Sequence, residues 1–191
     1  MTLIVMLATF LLALVCGGRI RSLERIDIKH VWIFPLGVVL MVLLEYTKHI
    51  GLMGQDATIL AQPMIYLIIV AGLLLNRQIE GAVFLATGTF LNFLVIAVNG
   101  GYMPVSMRAL SASGLTMKEL ADIMYLRHIP MTASTRLAFL GDIIPVRSPH
   151  FLRSVGSIGD MMVTIALAYI VWRLFFPSRG RIAQEAAKAA A

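Results

Sequence analysis

Two aspartates head the residues able to do chemistry. Asp142 lies in Phe139-Leu140-Gly141-Asp142-Ile143-Ile144-Pro145 and Asp160 in Ser157-Ile158-Gly159-Asp160. Each follows a glycine and adjoins apolar sequence, and a carboxyl at membrane level is by default a ligand or proton site. Asn92 and Asn99 add amide donors and acceptors, while Arg136 and Arg147 add counter-charge. Together these six residues form the candidate ligand or proton site. For Asp160 a structural role competes. Ser157 at the N-cap with a carboxylate at N3 satisfies free N–H groups and suits the positive end of a helix dipole. Glu45 is a secondary candidate. It precedes Lys48 by three residues and His49 by four, so on a helix an ordinary pairing at the outer interface competes with a proton-carrying role.

The recognised catalytic arrangements are missing. There is no H-E-x-x-H, no C-x-x-C, no G-x-S-x-G and no Walker A loop. No catalytic residue, metal site or cofactor is therefore expected. His30, His49, His128 and His150 flank apolar runs or lie between them, which disfavours a haem held between helices. Cys16 is the single cysteine, so a disulfide framework is excluded. The 12 methionines are scattered, which suits gap filling rather than a metal tract.

The elements that must position these residues follow from composition. Hydrophobic residues make up 59% and charged residues 14%. Soluble domains run nearer ~45–50% and ~25%. That balance excludes a disordered chain, and it excludes an ordinary soluble enzyme, which could not cover so much apolar surface. An integral membrane protein is expected. The net charge of +6 arises from bases that sit between and beside apolar runs. They read as contacts to lipid headgroups and as topology signals, and nucleic acid is not expected as a partner.

Five apolar runs predict five spans, about 2–18, 31–48, 58–76, 81–99 and 157–176. A lipid-embedded segment must satisfy its own backbone, so each is read as an α-helix. The first run lacks a basic leader and an A-x-A site and is expected to be retained rather than cleaved. The expected fold class is all-α: a five-transmembrane-helix bundle in one domain, 1–176. A long extracytoplasmic segment, 100–156, separates helices 4 and 5. Arg19, Arg21, Arg25, Lys29, Arg77, Arg173 and Arg179 fall on one side of such a bundle, which sets the N-terminus outside and the tail in the cytoplasm. A sixth span over 129–146 is the rival. It would immerse Arg136 and Asp142 at ~2.5–3.5 kcal/mol each, so a surface or re-entrant segment is favoured there.

Within the outer segment, Thr116-Met117-Lys118-Glu119 has capping-box spacing. Met117, Leu120, Ala121 and Met124 then predict a short amphipathic helix over 117–127. On the fourth span Gly81, Gly88, Asn92 and Asn99 fall within ~40° of one another at ~100° per residue. Gly81, Gly88 and Asn92 read as a helix-packing or partner face, because small residues allow close approach and Asn bonds across the contact. Thr9, Ala13 and Cys16 make a similar small-residue stripe on the first span. Residues 177–191 form an Ala-rich cytoplasmic tail.

Three motifs in order carry a resemblance. They are Asn99-Gly100-Gly101-Tyr102-Met103-Pro104-Val105-Ser106, then Thr135-Arg136-Leu137-Ala138-Phe139-Leu140-Gly141-Asp142-Ile143-Ile144-Pro145, then Ser157-Ile158-Gly159-Asp160. In this order the chain resembles a family of small bacterial polytopic membrane proteins that is known as a domain of unknown function. The resemblance covers most of 1–176. It implies a bacterial plasma-membrane location and assigns no reaction. The leading functional expectation is a non-catalytic subunit or partner-binding component of a membrane complex, with the lipid bilayer, another membrane protein or a second copy as its partners. A small-solute or proton-coupled transporter with an outer acidic site is the second, and an enzyme acting on lipid headgroups the third.

Overall fold

The computed structural model describes residues 2–18, 28–52, 55–115, 119, 128–147 and 153–177. Five long helices account for most of them: α1 (Thr2–Val15), α2 (Ile33–His49), α3 (Gln55–Leu75), α4 (Ala82–Val98) and α6 (Ile158–Phe175). Their bounds fall within a few residues of the five apolar runs. Pro35 is tolerated in the first turn of α2, where its missing N–H is not needed. α1 stops short of the apolar run because Gly17 turns into the left-handed region, and the Gly18 N–H then donates to Ala13 O at 2.9 Å.

The long helices are neighbours in the order α2, α3, α4, α6, α1. Close approaches fix their directions. Thr2 Oγ1 lies 2.9 Å from Thr164 Oγ1, and Gly18 sits against Phe175, so α1 runs parallel to α6. Gly81 faces Ile170 and Asn92 bonds Asp160, so α4 runs antiparallel to α6. Gly72 meets Ile33 and Gly37 meets Ile69, so α2 and α3 are antiparallel. Leu73, Leu85, Ala86 and Ala166 form the core between α3, α4 and α6. Among the described residues α6 is the one helix that is long and apolar enough throughout to cross a membrane by length and composition. The apolar stretches of the other four run 10–17 residues.

The segment after α4 departs from the all-α expectation. It holds β1 (Met103–Val105), α5 (Met107–Ser113), β2 (His128–Pro130), a 3-10 turn at Ala138–Leu140, β3 (Ile144–Val146) and β4 (Ser154–Gly156). β1 and β2 pair in parallel, and β3 and β4 pair antiparallel. Pro104, Pro130 and Pro145 each occupy a strand position and break any helix there, so extended pieces three residues long are what the backbone can form. Among the described residues this segment holds the helix α5; the amphipathic helix expected over 117–127 lies outside the described residues apart from Glu119, which is helical. The stretch 129–146 contains no α-helix, so no sixth helical span is present there.

These pieces form a cap on the end of the bundle where α4 finishes and α6 begins. Val95 and Ile96 of α4, Met103 of β1 and Leu140 of the 3-10 turn close one core. Val105 and Leu110 close another with Leu115 and Val155. Burial of each such aliphatic side chain in the cap contributes about 1.5–3 kcal/mol. The tail beyond Pro177 lies outside the described residues.

Candidate functional site

The crossing of α4 and α6 is built on two glycines. A Cβ on Gly88 would stand 2.8 Å from Gly159 O, and a Cβ on Gly159 would stand 2.7 Å from Gly88 O. The backbones can meet this closely only without side chains. Asn92, one turn along α4, fills the space beside the crossing. Its Nδ2 donates to Asp160 Oδ1 at 2.8 Å, and its Oδ1 accepts from Ser157 Oγ at 2.8 Å. Ser157 Oγ also accepts from the Asp160 N–H at 2.9 Å, while Asp160 Oδ2 accepts from the Ser157 N–H at 3.1 Å. Both halves of a capping box are therefore present. Asn92 and Ser157 are buried, and both oxygens of Asp160 are bonded within the fold. Asp160 is thus a capping residue that also carries the interhelix contact.

Asp142 is positioned differently. The chain bends through Leu137, which has φ 51°, and through the 3-10 turn, then returns beside β1. A Cβ on Gly141 would lie 2.6 Å from Pro104 O, so this return leaves room only for glycine. Asp142 N donates to Pro104 O at 2.9 Å, and Asp142 O accepts from Ser106 N at 2.9 Å. β2 flanks β1 on the other side, and His128 Nε2 reaches over to within 3.4 Å of Asp142 Oδ2. Asp142 is 4% exposed, and its Oδ1 has no hydrogen-bond partner among the described residues. Its carboxyl titrates above the ordinary carboxylate value. Burial is the main cause, the hydrogen bond from His128 pulls the other way, and the charge of Asp160 adds to the rise.

The other candidates divide. Asn99 sits at the end of α4, where its Nδ2 donates to Val95 O at 2.7 Å and to Arg136 O at 2.8 Å. Its Oδ1 accepts from the Arg136 N–H at 3.0 Å. Asn99 therefore clamps the backbone of Arg136, whose side chain is exposed. The Arg147 guanidinium is directed to the carbonyl of Ala112 at the end of α5, not to an acid. Gly81, Gly88 and Asn92 all lie against α6, so this face is occupied within the chain. The side chain of Glu45 lies outside the described residues.

Three residues that sequence reasoning passed over matter to the arrangement. Asn76, 1% exposed, ends α3 as Asn99 ends α4. It accepts from the Lys29 N–H at 2.7 Å and donates to Lys29 O at 2.9 Å and Gly72 O at 2.8 Å. Glu80 pairs with Arg173 at 2.6 Å and accepts from the Tyr169 hydroxyl at 3.3 Å. An Asn closing an apolar run was the available signal for Asn76. For Glu80 the signal was an acid in a tight turn facing the basic end of α6. His128 had no local signal, because β1 separates it from Asp142.

The fold is thus a row of long apolar helices with one polar, strand-bearing cap, and its polar residues sit mainly where elements join. The chain belongs to DUF5317, a family of unknown function, matched over residues 25–172. It is similar to an uncharacterized protein of Thermotoga maritima, 27% identical over 165 residues, which covers 85% of this chain and 87% of that one. No solved structure matches it.

Proposed function

We propose that this chain crosses a bacterial plasma membrane five times and serves as a non-catalytic, partner-binding component of a membrane complex. The observation that carries the reading is how the polar groups of the bundle are used. Asn92, Asn99 and Asn76 are each bonded to other parts of the same fold, and Asp160 caps its own helix. A solute path would need such groups turned toward an open lumen.

The outward faces support the membrane part of the reading. Leu7, Leu11, Val38, Val42, Leu60, Met64, Val83, Phe84 and Ile165 are exposed, and they come from all five long helices. Soluble monomers rarely expose contiguous apolar patches beyond a few hundred Å². The alternating helix directions suit five passes, with α1 and α6 both starting at the cap end. α1, with 14 residues, spans about 21 Å at ~1.5 Å per residue and would be met by local thinning of a ~30 Å hydrocarbon core. Trp32, Tyr169 and Trp172 sit at the end away from the cap, as an interfacial aromatic belt would. Lys29 and Arg77 lie at that same end, which supports reading it as the cytoplasmic one by the positive-inside rule. The bacterial source of the Thermotoga relative fits this location.

Extraction from the native membrane in a mild detergent tests the proposal. A companion protein should co-purify in fixed proportion. A lone monomer or homodimer would count against it.

A second reading, proton-coupled transport, rests on one observation: the buried Asp142, one oxygen of which has no hydrogen-bond partner among the described residues. Vesicles containing the protein should then show proton-driven flux that Asp142→Asn abolishes. Equal flux in the two proteins would remove this reading.

A further inference from the structure

The ladder of β3 and β4 pairs Ile144 with Gly156, Pro145 with Val155 and Val146 with Ser154. One further step of that register sets Arg147 opposite Arg153. Cross-strand neighbours stand about 4.5–5.5 Å apart at Cα, and like charges so placed repel. Each guanidinium turns to the C-terminal end of α5. Arg147 Nε donates to Ala112 O, and Arg153 Nη1 donates to Gly114 O at 3.2 Å. These carbonyls belong to residues two apart, so their Cα atoms are at most about 7.6 Å from each other by the ~3.8 Å trans spacing.

A guanidinium carries five N–H donors and no acceptor. One donor is used on each arginine, and the remaining donors have no carboxylate partner among the described residues. Both arginines are exposed, and so is Arg108 in the first turn of α5. The carbonyl anchors hold two long side chains in place before any ligand arrives, which lowers the entropy cost of binding. A guanidinium fork matches the oxygens of a phosphate group and takes two of them at once.

We infer that Arg147 and Arg153 form a two-guanidinium clamp for a phosphate ester. A bound anion also relieves the repulsion that the strand register imposes. The cap lies at one end of the apolar helices, so lipid headgroups would bring phosphodiesters to this level. That choice of source rests on the membrane reading above, whereas the clamp itself does not.

The full chain is placed in nanodiscs of phosphatidylcholine with a minority of phosphatidylglycerol, and the lipids it retains on release are counted by native mass spectrometry. Wild type should retain phosphatidylglycerol over phosphatidylcholine, and R147Q/R153Q should lose that preference by roughly tenfold. R147K/R153K keeps the charge without the fork and should fall between them, while R108Q should stay near wild type. Retention unaffected by millimolar inorganic phosphate assigns the site to lipid. Competition by inorganic phosphate assigns the same clamp to a soluble phosphate compound. If the Gln variant does not fold, thermal stabilisation of the wild type by short-chain phosphatidylglycerol over short-chain phosphatidylcholine, or by inorganic phosphate, gives the reading instead. Equal retention in wild type and double variant, or no stabilisation by either phosphate source, overturns the clamp. A protein that stays in aqueous solution without detergent would overturn the membrane reading and leave the phosphate titration as the test of the clamp.

Discussion

Gly159-Asp160 and Gly141-Asp142 are the same dipeptide in two settings. At the start of α6, Asp160 is half-buried and both its oxygens are bonded, one to Asn92 and one to the Ser157 N–H. It sits at the N-terminal end of the helix, beside the free N–H groups. In the cap, Asp142 is nearly fully buried, has His128 beside one oxygen and has no hydrogen-bond partner for the other among the described residues. Its surroundings disfavour its charge. The glycines differ as well. Gly159 admits a second helix, whereas Gly141 admits the carbonyl of Pro104. The acid at the helix start has both oxygens bonded within the fold. An acid placed by a distant strand is left dependent on a proton or on one histidine.

The largest effect that sharpens this contrast belongs to Gly159→Ala. Its Cβ would stand 2.1 Å from Asn92 Oδ1, and Asn92 cannot move without losing its bonds to Ser157 and Asp160. A loss near the top of about 1–3 kcal/mol is expected, read by thermal unfolding in detergent. Gly141→Ala should cost less, about 1–2 kcal/mol, because Met131 Cε can give way although Pro104 O cannot. Equal losses, or a larger one at Gly141, would blur the distinction between bundle and cap.

Asp160→Asn comes next, at about 1 kcal/mol, because it weakens the cap and removes a charge favoured by the dipole. Asn99→Ala should cost a similar amount or slightly less. Its signature is local: the Arg136 N–H should exchange with deuterium faster while α1 and α2 are unchanged.

Asp142→Asn is expected to have the smallest effect near neutral pH, within about 0.5–1 kcal/mol, since it removes a charge that burial opposes. Its mark is a changed pH profile. The folded carboxyl holds its proton above the ordinary value of 3.8, so the folded state binds more protons than the unfolded one in that window. Stability from this group is therefore fully present at low pH and declines as pH rises from 3.8 through the raised folded value. Asp142→Asn should remove that decline, and Asp160→Asn should only reduce it, because burial is the larger cause of the rise and the charge of Asp160 a lesser one. The same slope in wild type and Asp142→Asn would show that the cap acid does not titrate as its burial requires.

Sequence legibility divides along the same line. The five long helices were readable because uninterrupted apolar length is a local property, and the termini of α4 and α6 fall close to where Gly81, Asn99 and Ser157 indicated. The capping role of Asp160 was readable for the same reason, since Ser157 is three residues away. The cap was not. Its strands are three residues long, too short to show alternation, and β1 joins residues from 128–130 and from 142 that no periodicity links. Arg147 is expected as a counter-charge, whereas its guanidinium donates to the backbone of α5, an element 35 residues earlier that no local pattern links to it. Asn99, a candidate site residue by sequence, bonds a backbone 37 residues on, which no local pattern indicates.

The proposed five crossings would put the two ends of the bundle on opposite sides of a membrane, and thiol accessibility measures this directly. Cys16 is exposed at the end away from the cap, and Ser134 is exposed within the cap. In intact cells a membrane-impermeant thiol reagent should label Ser134→Cys in a Cys16→Ser background, while Cys16 in the otherwise native chain should react only after permeabilisation. Labelling of both positions from the same side would contradict the five-span account.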